Sequence, residues 1–591
     1  MNKAGTQLQP SIPFVSMVCL LSCKSVLLLS LLSLFQAWGF AQQYPTGYFG
    51  LPLPQITRVS GTFAEFRYDH FHSGIDFPAP MRTPVYAIAD GYISRIRLQS
   101  AGFGRALYIN HPNGYTSVYA HLDEFIPDYE HFVTNYQFTY HTFELDEYPD
   151  TLRFPVKKGQ IVAYSGNSGS SQGPHLHFEI RQTAGEMPTN PLLFGLKVND
   201  NRKPVIRSLS YYRVRKNGDL LTGSMPVSLP VLKTAAGFSL KQTAVVNLPP
   251  YVIFGIRAQD IDGSGNKNGL YELTVRMDSV LVYHTGMDQF SFDHFRAINS
   301  LIDYDHYQKT RQFVQLTRVA PCNAIPLYKT ALNGGVFDFS DGQVHRITIE
   351  LSDYQGNLTE LSFRAQCKDP AQYPCPPRNS KHDIVFPCDQ SNDFVSDELK
   401  LHIPRGVLFD TLELDYSKQS AAAGFYSSVH KIQDGSTPLN DYMVVSVRAK
   451  GLPAAYQDKA CLARPTAKGG KTYIGGRYEN GWVTALTRKF GSFAIAVDAT
   501  PPVIKAVIRK DKKGRVLHPD RLTFKISDNF SGIGNYCGYV DGQWVLMVYD
   551  HKKSTLTYRI DSNLSAGEHL FELFVTDRIG NQQVFSRTIR R

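Results

Sequence analysis

Five side chains in the first third of the sequence have the types and spacing for metal-assisted hydrolysis. His72-Ser73-Gly74-Ile75-Asp76 sets an imidazole and a carboxylate four residues apart around a glycine turn. His175-Leu176-His177 lies in an apolar stretch of strand character, where positions i and i+2 point to the same face. His121 ends the strand-like run Val118-Tyr119-Ala120. A catalytic zinc site needs three protein ligands and one open position for water. His72, Asp76 and His177 would supply two nitrogens and one oxygen. Either spacing alone is a weak signal. Their order along the chain, with the turn-rich Ser165-Gly166-Asn167-Ser168-Gly169 leading into the second, makes the combination strong.

Three segments carry a family resemblance: His72-Ser73-Gly74-Ile75-Asp76-Phe77, Tyr119-Ala120-His121-Leu122, and Gly173-Pro174-His175-Leu176-His177-Phe178-Glu179. Together they resemble the lysostaphin-type zinc metallopeptidases, the murein endopeptidases of the bacterial cell wall, over about Ser60 to Asn190. The resemblance implies His72, Asp76 and His177 as zinc ligands and His121 and His175 as the catalytic histidines. It also implies a small, mainly antiparallel β core with an open groove. Zinc lowers the pKa of bound water from ~15.7 to about 7 and polarises the scissile carbonyl. The sequence has no HExxH helix to supply a glutamate base, and a histidine beside the metal can take the proton near neutral pH. His175 shares a strand face with His177, which sets it beside the water. His121 either bonds the developing oxyanion or shares the base role, and the sequence does not divide the two tasks.

Other candidates have blander readings. His70 is expected as a loop or groove residue and His111 as a turn residue. Glu179 shares the face of His175 and His177 and is either a hydrogen-bond partner of a ligand or half of a surface ion pair. His569-Leu570-Phe571-Glu572 imitates a metal pair but sits in an alternating strand. Asp260-Ile261-Asp262-Gly263-Ser264-Gly265-Asn266 opens like a calcium loop, yet position twelve is Tyr271, and a plain acidic hairpin turn is the expectation.

The elements that must position these residues read as strands. Val85 to Ala89, Tyr92 to Leu98, Ala106 to Ile109, Tyr115 to Ala120, Gly159 to Tyr164 and His175 to Arg181 alternate or run apolar between Gly, Asn and Asp turns. An acidic, aromatic insertion at about 126–154 departs from the family pattern and is expected either to narrow access to the groove beside His121 or to be a surface loop without catalytic consequence. The predicted organisation is a signal peptide at 1–41, a metallopeptidase domain at 42–198 and a β-sandwich with an insertion at 199–367. A Pro-rich linker at 368–393, a β-rich domain at 394–497 and an immunoglobulin-like domain at 498–591 follow. Two modules share markers: Asp200 to Ile206 matches Asp498 to Ile504, and Asp353-Tyr354-Gln355-Gly356-Asn357 matches Asp577-Arg578-Ile579-Gly580-Asn581. The fold class is mainly β: a small antiparallel peptidase core followed by several β-sandwich, immunoglobulin-like domains.

Composition narrows the rest. The 591 residues hold 36 Phe, 33 Tyr and 45 Gly, which suits aromatic strands and tight turns. Net charge is +10 with no Lys/Arg block, so nucleic acid is not an expected partner. Val26 to Phe35 is a short apolar run followed by small residues, which reads as a signal peptide cleaved after Ala41. No later segment is apolar enough to span a membrane, so export to the periplasm or cell surface is expected. Cys19 and Cys23 leave with the signal; among the remaining six, a local staple among Cys367, Cys375 and Cys388 is expected near the linker. The function read here is zinc-dependent hydrolysis of peptidoglycan peptides. The alternative is a non-catalytic wall-binding or regulatory protein on the same fold.

Overall fold

The computed structural model describes residues 44–591 except 222–224, 236, 242–243, 263–264, 375–383, 509–519 and 561–563. The signal-peptide residues and Cys375 lie outside the described residues. From Thr46 to Arg591 the chain forms one compact unit. It is mainly β.

The N-terminal domain is built from β1 (Phe66–Arg67), β2 (His70–Phe71), β3 (Ile75–Phe77), β4 (Pro84–Tyr86), β5 (Gly91–Leu98), β6 (Arg105–Asn110), β7 (Tyr115–Leu122) and β8 (Glu124–Phe125). Helix α1 (Pro127–Tyr140) follows, then β9 (Leu145–Glu147), β10 (Pro155–Val156), β11 (Ile161–Tyr164), β12 (Leu176–Gln182) and β13 (Met187–Thr189). The main sheet runs β10-β5-β6-β7-β12-β13, with β3 added to β12 and β9 to β5. A small sheet, β4-β11-β8, completes the domain. Alternation explains the layering: Leu176, Phe178 and Ile180 leave β12 on one face and His177, Glu179 and Arg181 on the other. The apolar face packs with Phe77 and Tyr119, all fully buried. Each such side chain contributes about 1.5–3 kcal/mol by leaving water.

The insertion is partly ordered as helix and strand. Pro127 starts α1, and left-handed His141 ends it. β9 then pairs with β5, on the side of the sheet away from β12. The helix end meets the last module, where Trp544 stacks on His141 and packs edge-on against Phe138. Within the insertion, Glu130 pairs with Arg105, and Glu144 accepts hydrogen bonds from the Ser100 amide and hydroxyl. β-pairing captures the segment because β5 would otherwise leave an open edge there.

Three two-sheet modules follow, each with its own apolar core. The first buries Leu209 and Phe254 of one sheet against Ile347 and Leu361 of the other. Between Ser291 and Asn333 it carries the short helices Ile298–Leu301 and Tyr304–Thr310. The second packs Leu401 and Val445 against Ile432 and Phe493, and the third packs Phe524 and Leu556 against Phe571 and Leu573. The disulfide joins Cys322 to Cys388 across 66 residues, and Cys367 is a buried free thiol. The local staple is therefore replaced by a long-range one, because Cys322 packs against the core of the second module next to Cys388. Among the described residues no helix is long and apolar enough to cross a membrane.

Candidate active site

Strand β12 gathers the site. Its His177 pairs with Asp76 of β3 on one side and Ala120 of β7 on the other. Gly74 makes the first pairing possible: a Cβ there would sit 2.2 Å from the Phe178 carbonyl oxygen and 2.8 Å from Glu179 Cγ. Any larger residue would push the His72–Asp76 turn off β12. His121 is delivered differently. It adopts φ +59°, in the left-handed region, and its N–H bonds the Phe103 carbonyl where the β6–β7 register shifts. Such a bulge turns one side chain out of the strand's regular alternation.

His72 Nε2, Asp76 Oδ1 and His177 Nδ1 form a triangle with edges of 3.1, 3.0 and 3.0 Å. The protonation of each ring follows from its far side. His72 Nδ1 lies 2.8 Å from the Thr62 carbonyl oxygen, which can only accept, so the proton sits on Nδ1 and Nε2 presents a lone pair. His177 Nε2 lies 2.9 Å from Glu179 Oε1, so its proton sits there and Nδ1 presents a lone pair. Asp76 Oδ2 is engaged by Arg67 at 3.1 Å, leaving Oδ1 for the centre. In these tautomers three electron pairs converge, an arrangement that a cation satisfies; in the polypeptide alone, burial lowers His177 but its hydrogen bonds to Asp76 and Glu179 raise it to about 9. Tetrahedral bonds of ~2.0–2.1 Å would separate neighbouring donors by about 3.3 Å, close to these edges. The donor set fits a divalent metal.

Two further imidazoles flank the triangle. His175 Nδ1 donates to the Gly173 carbonyl at 2.8 Å, and its Nε2 stands 3.6 Å from Asp76 Oδ1. His121 Nδ1 donates to the Ser168 carbonyl at 3.0 Å, and its ring centre lies 4.8 Å from that of His175. Both expose an unprotonated Nε2. Burial, then the neighbouring His177 and His175, lower His121 to about 3. Burial lowers His175 as well. For Asp76, burial opposes ionisation, but His72 and His177 hold the carboxylate well below the usual range.

The structure brings His72, Asp76, His121, His175 and His177 together and leaves other candidates outside. His70 bonds the Tyr68 carbonyl and stacks on Phe295. His111 is buried against the Asp90 carbonyl and Ser117, and His569 pairs with Asp541. Glu179 is fully buried, which removes the surface ion-pair reading. Burial raises its pKa, yet Arg181 and His177 bring it down to about 2, and it bonds Ser73 and Arg181 besides His177. Phe103, stacked on His177 with ring centres 5.2 Å apart, escapes sequence reasoning, because no motif marks it.

An antiparallel sheet thus gathers two histidines and an aspartate that could hold a metal ion, with two further imidazoles alongside. Residues 70–137 and 152–191 match the model of peptidase family M23. These residues of the N-terminal domain thus carry the peptidase M23 signature. Residues 383–498 match a Zu5-like domain. The chain is 32% identical over 145 residues to the DD-carboxypeptidase/endopeptidase Mpg of Neisseria meningitidis serogroup B, covering 24% of this chain and 27% of that protein. It is 33% identical over 109 residues to the peptidoglycan DD-endopeptidase ShyB of Vibrio cholerae, covering 18% and 20%. The catalytic domain of the prophage-encoded M23 protein EnpA of Enterococcus faecalis shares 27% identity over 22% of this chain and 92% of that one, with a TM-score of 0.17. The chain spans about a quarter of the length of the first curated relatives it matches.

Proposed function

We infer that the chain is an exported zinc metalloendopeptidase that hydrolyses peptide bonds in the cross-links or stem peptides of peptidoglycan. The observation that carries this is the convergence of one ligand-type atom each from His72, Asp76 and His177, 3.0 to 3.1 Å apart. Names of relatives that include peptidoglycan DD-endopeptidase favour a bond between D-configured residues as the target. A long-range disulfide suits an oxidising compartment and so supports export, with cleavage after Ala41. The modules after residue 199 act as spacers or wall-binding units that present the peptidase to its polymer.

Zinc held by His72, Asp76 and His177 would supply a Lewis acid for the scissile carbonyl and lower the pKa of water at the open position. His175 Nε2, the unprotonated nitrogen nearer the ligand carboxylate, takes the proton as water attacks. Its Nδ1–H stays on the Gly173 carbonyl and keeps the ring oriented. His121 also begins as an acceptor, its Nδ1 proton committed to Ser168, and it shares the transferred proton with His175 before delivery to the leaving amine. Glu179 holds the His177 tautomer that faces the metal. The test is digestion of purified peptidoglycan with the mature, zinc-loaded protein, followed by muropeptide analysis. New amine and carboxyl termini at one bond type are expected. Unaltered muropeptides with zinc bound would overturn the catalytic reading.

A further inference from the structure

The sequence markers shared by two modules meet in space, and a third residue joins them each time. In the first module Asp200, Asp260 and Asp353 place carboxylate oxygens within 4.8 Å of one another; in the last, Asp498, Asp528 and Asp577 do the same. The two triads are equivalent in register. Val205 pairs with Gln259, the residue before Asp260, and Val503 pairs with Ser527, the residue before Asp528. Asp200 and Asp498 each stand five residues before that valine. Asn357 Nδ2 bonds Asp353 Oδ2 and the Asp200 carbonyl, and Asn581 Nδ2 bonds Asp577 Oδ2 and the Asp498 carbonyl.

Each triad also faces acceptors that have no partner. Asp260 and Asn268 are 2% and 4% exposed, pair across the strand ends, and both have a buried Oδ1 with no hydrogen bond. Asn268 and the three aspartates line one cavity of about 30 Å³, room for an ion but not for an organic ligand. In the last module Asp528 Oδ1 is buried and unbonded, as is Oγ of Ser531, a residue 2% exposed whose N–H bonds Asp498. Among the described residues no Lys or Arg forms an ion pair with any of the six aspartates. Buried, oxygen-rich and uncompensated charge is costly unless a cation is present.

We propose that each triad is a calcium site, so that the chain carries two calcium ions in addition to its catalytic metal. All donors are hard oxygens lying within 4.8 Å of one another, a set that calcium takes with bonds of ~2.3–2.6 Å, whereas magnesium usually keeps several waters in place of an all-protein cage. Asp200 and Asp498 lie where the chain enters a module, after Thr189 of β13 and directly after the strand Gly491–Val497. Calcium therefore fastens the entry strand of each module to its last turn. The first cavity is also lined by Val59, Thr62 and Phe63 of the peptidase domain. Thr62 ties the two metals together: its Oγ1 accepts from the Gly269 amide, and its carbonyl accepts from zinc ligand His72.

The experiment is calorimetric titration of the full mature, zinc-loaded chain with calcium chloride, in buffer stripped of divalent cations beforehand. About two calcium ions per chain are expected. Asp260→Asn should leave about one, Asp528→Asn about one, and the double variant none, while zinc content stays at the parent level as the check on folding. The neutral Asp260→Asn variant should melt no lower than the parent without calcium but lose that module's calcium-induced upward shift. No calcium uptake by the parent, unchanged stoichiometry in both variants, or magnesium binding as tightly would overturn the assignment.

Discussion

Backbone carbonyls at 2.8 and 3.0 Å hold the far nitrogens of His175 and His121, fix a proton on Nδ1 and leave Nε2 as the working atom, as the Thr62 carbonyl does for His72. Removing either ring should leave zinc bound and lower turnover by about 10²–10⁴-fold, the usual worth of acid–base help. Metal analysis beside muropeptide kinetics checks both, and parent-like turnover in either variant would refute its role. His177→Ala or His72→Ala should instead abolish zinc binding. Glu179→Gln keeps the shape but no longer compels the His177 tautomer, so a loss of about 10–100-fold in zinc affinity is expected, measured by competition with a chromogenic chelator. A pH effect resides at His111. Burial lowers it to about 4, so the unfolded chain binds this proton more readily than the folded one. Stability is complete above about pH 6.5 and falls as pH drops from there towards 4, by on the order of 3 kcal/mol for this group. His111→Asn should flatten the melting temperature between pH 7 and 5 relative to the parent.

At the scale of elements, the site depends on β3 and β7 flanking β12. Gly74→Ala drives a Cβ into the Phe178 carbonyl and should cost about 1–3 kcal/mol while separating Asp76 from His177. Zinc affinity should fall along with the melting temperature. The insertion is connected to the site more gently. Glu144 holds Ser100, and three residues later Phe103 stacks on His177 and accepts the His121 amide. Replacing 126–154 with a short Gly-Ser turn should preserve zinc and alter kcat or bond preference on muropeptides. Identical products and kinetics in a folded deletion variant would make the segment decoration.

Across the whole molecule, the modules touch the peptidase at several polar points. Lys552 Nζ donates to the Asn167 carbonyl, one residue from the Ser168 that holds His121, and Lys489 Nζ reaches the Tyr68 hydroxyl. Arg318 forms a two-pronged pair with Asp410, joining the first two modules beside the Cys322–Cys388 bridge. A disulfide closing a loop of this length restricts the unfolded chain and stabilises by about 2–4 kcal/mol. Cys388→Ser should lower the melting temperature of the second module and make it insensitive to reductant. A melting curve equal to the oxidised parent's would show that the bridge contributes nothing.

Spacing makes part of the site legible in the chain itself. In a strand, i and i+2 share a face, so His175, His177 and Glu179 declare a common side before any fold is known, and alternation declares the β class. A four-residue turn likewise announces that His72 and Asp76 are neighbours. The rest depends on pairings between distant residues, which no local period encodes. That His177 lies across from Asp76 and Ala120 is a matter of register among three strands. Burial of Glu179, the Cys322–Cys388 partnership and the side of the sheet taken by the insertion were decided in the same way. So were the aspartate triads. Two of their members are visible as repeated markers, but Asp260 and Asp528 join only because a later strand of each module pairs with the entry strand so that the residue before each aspartate faces Val205 or Val503.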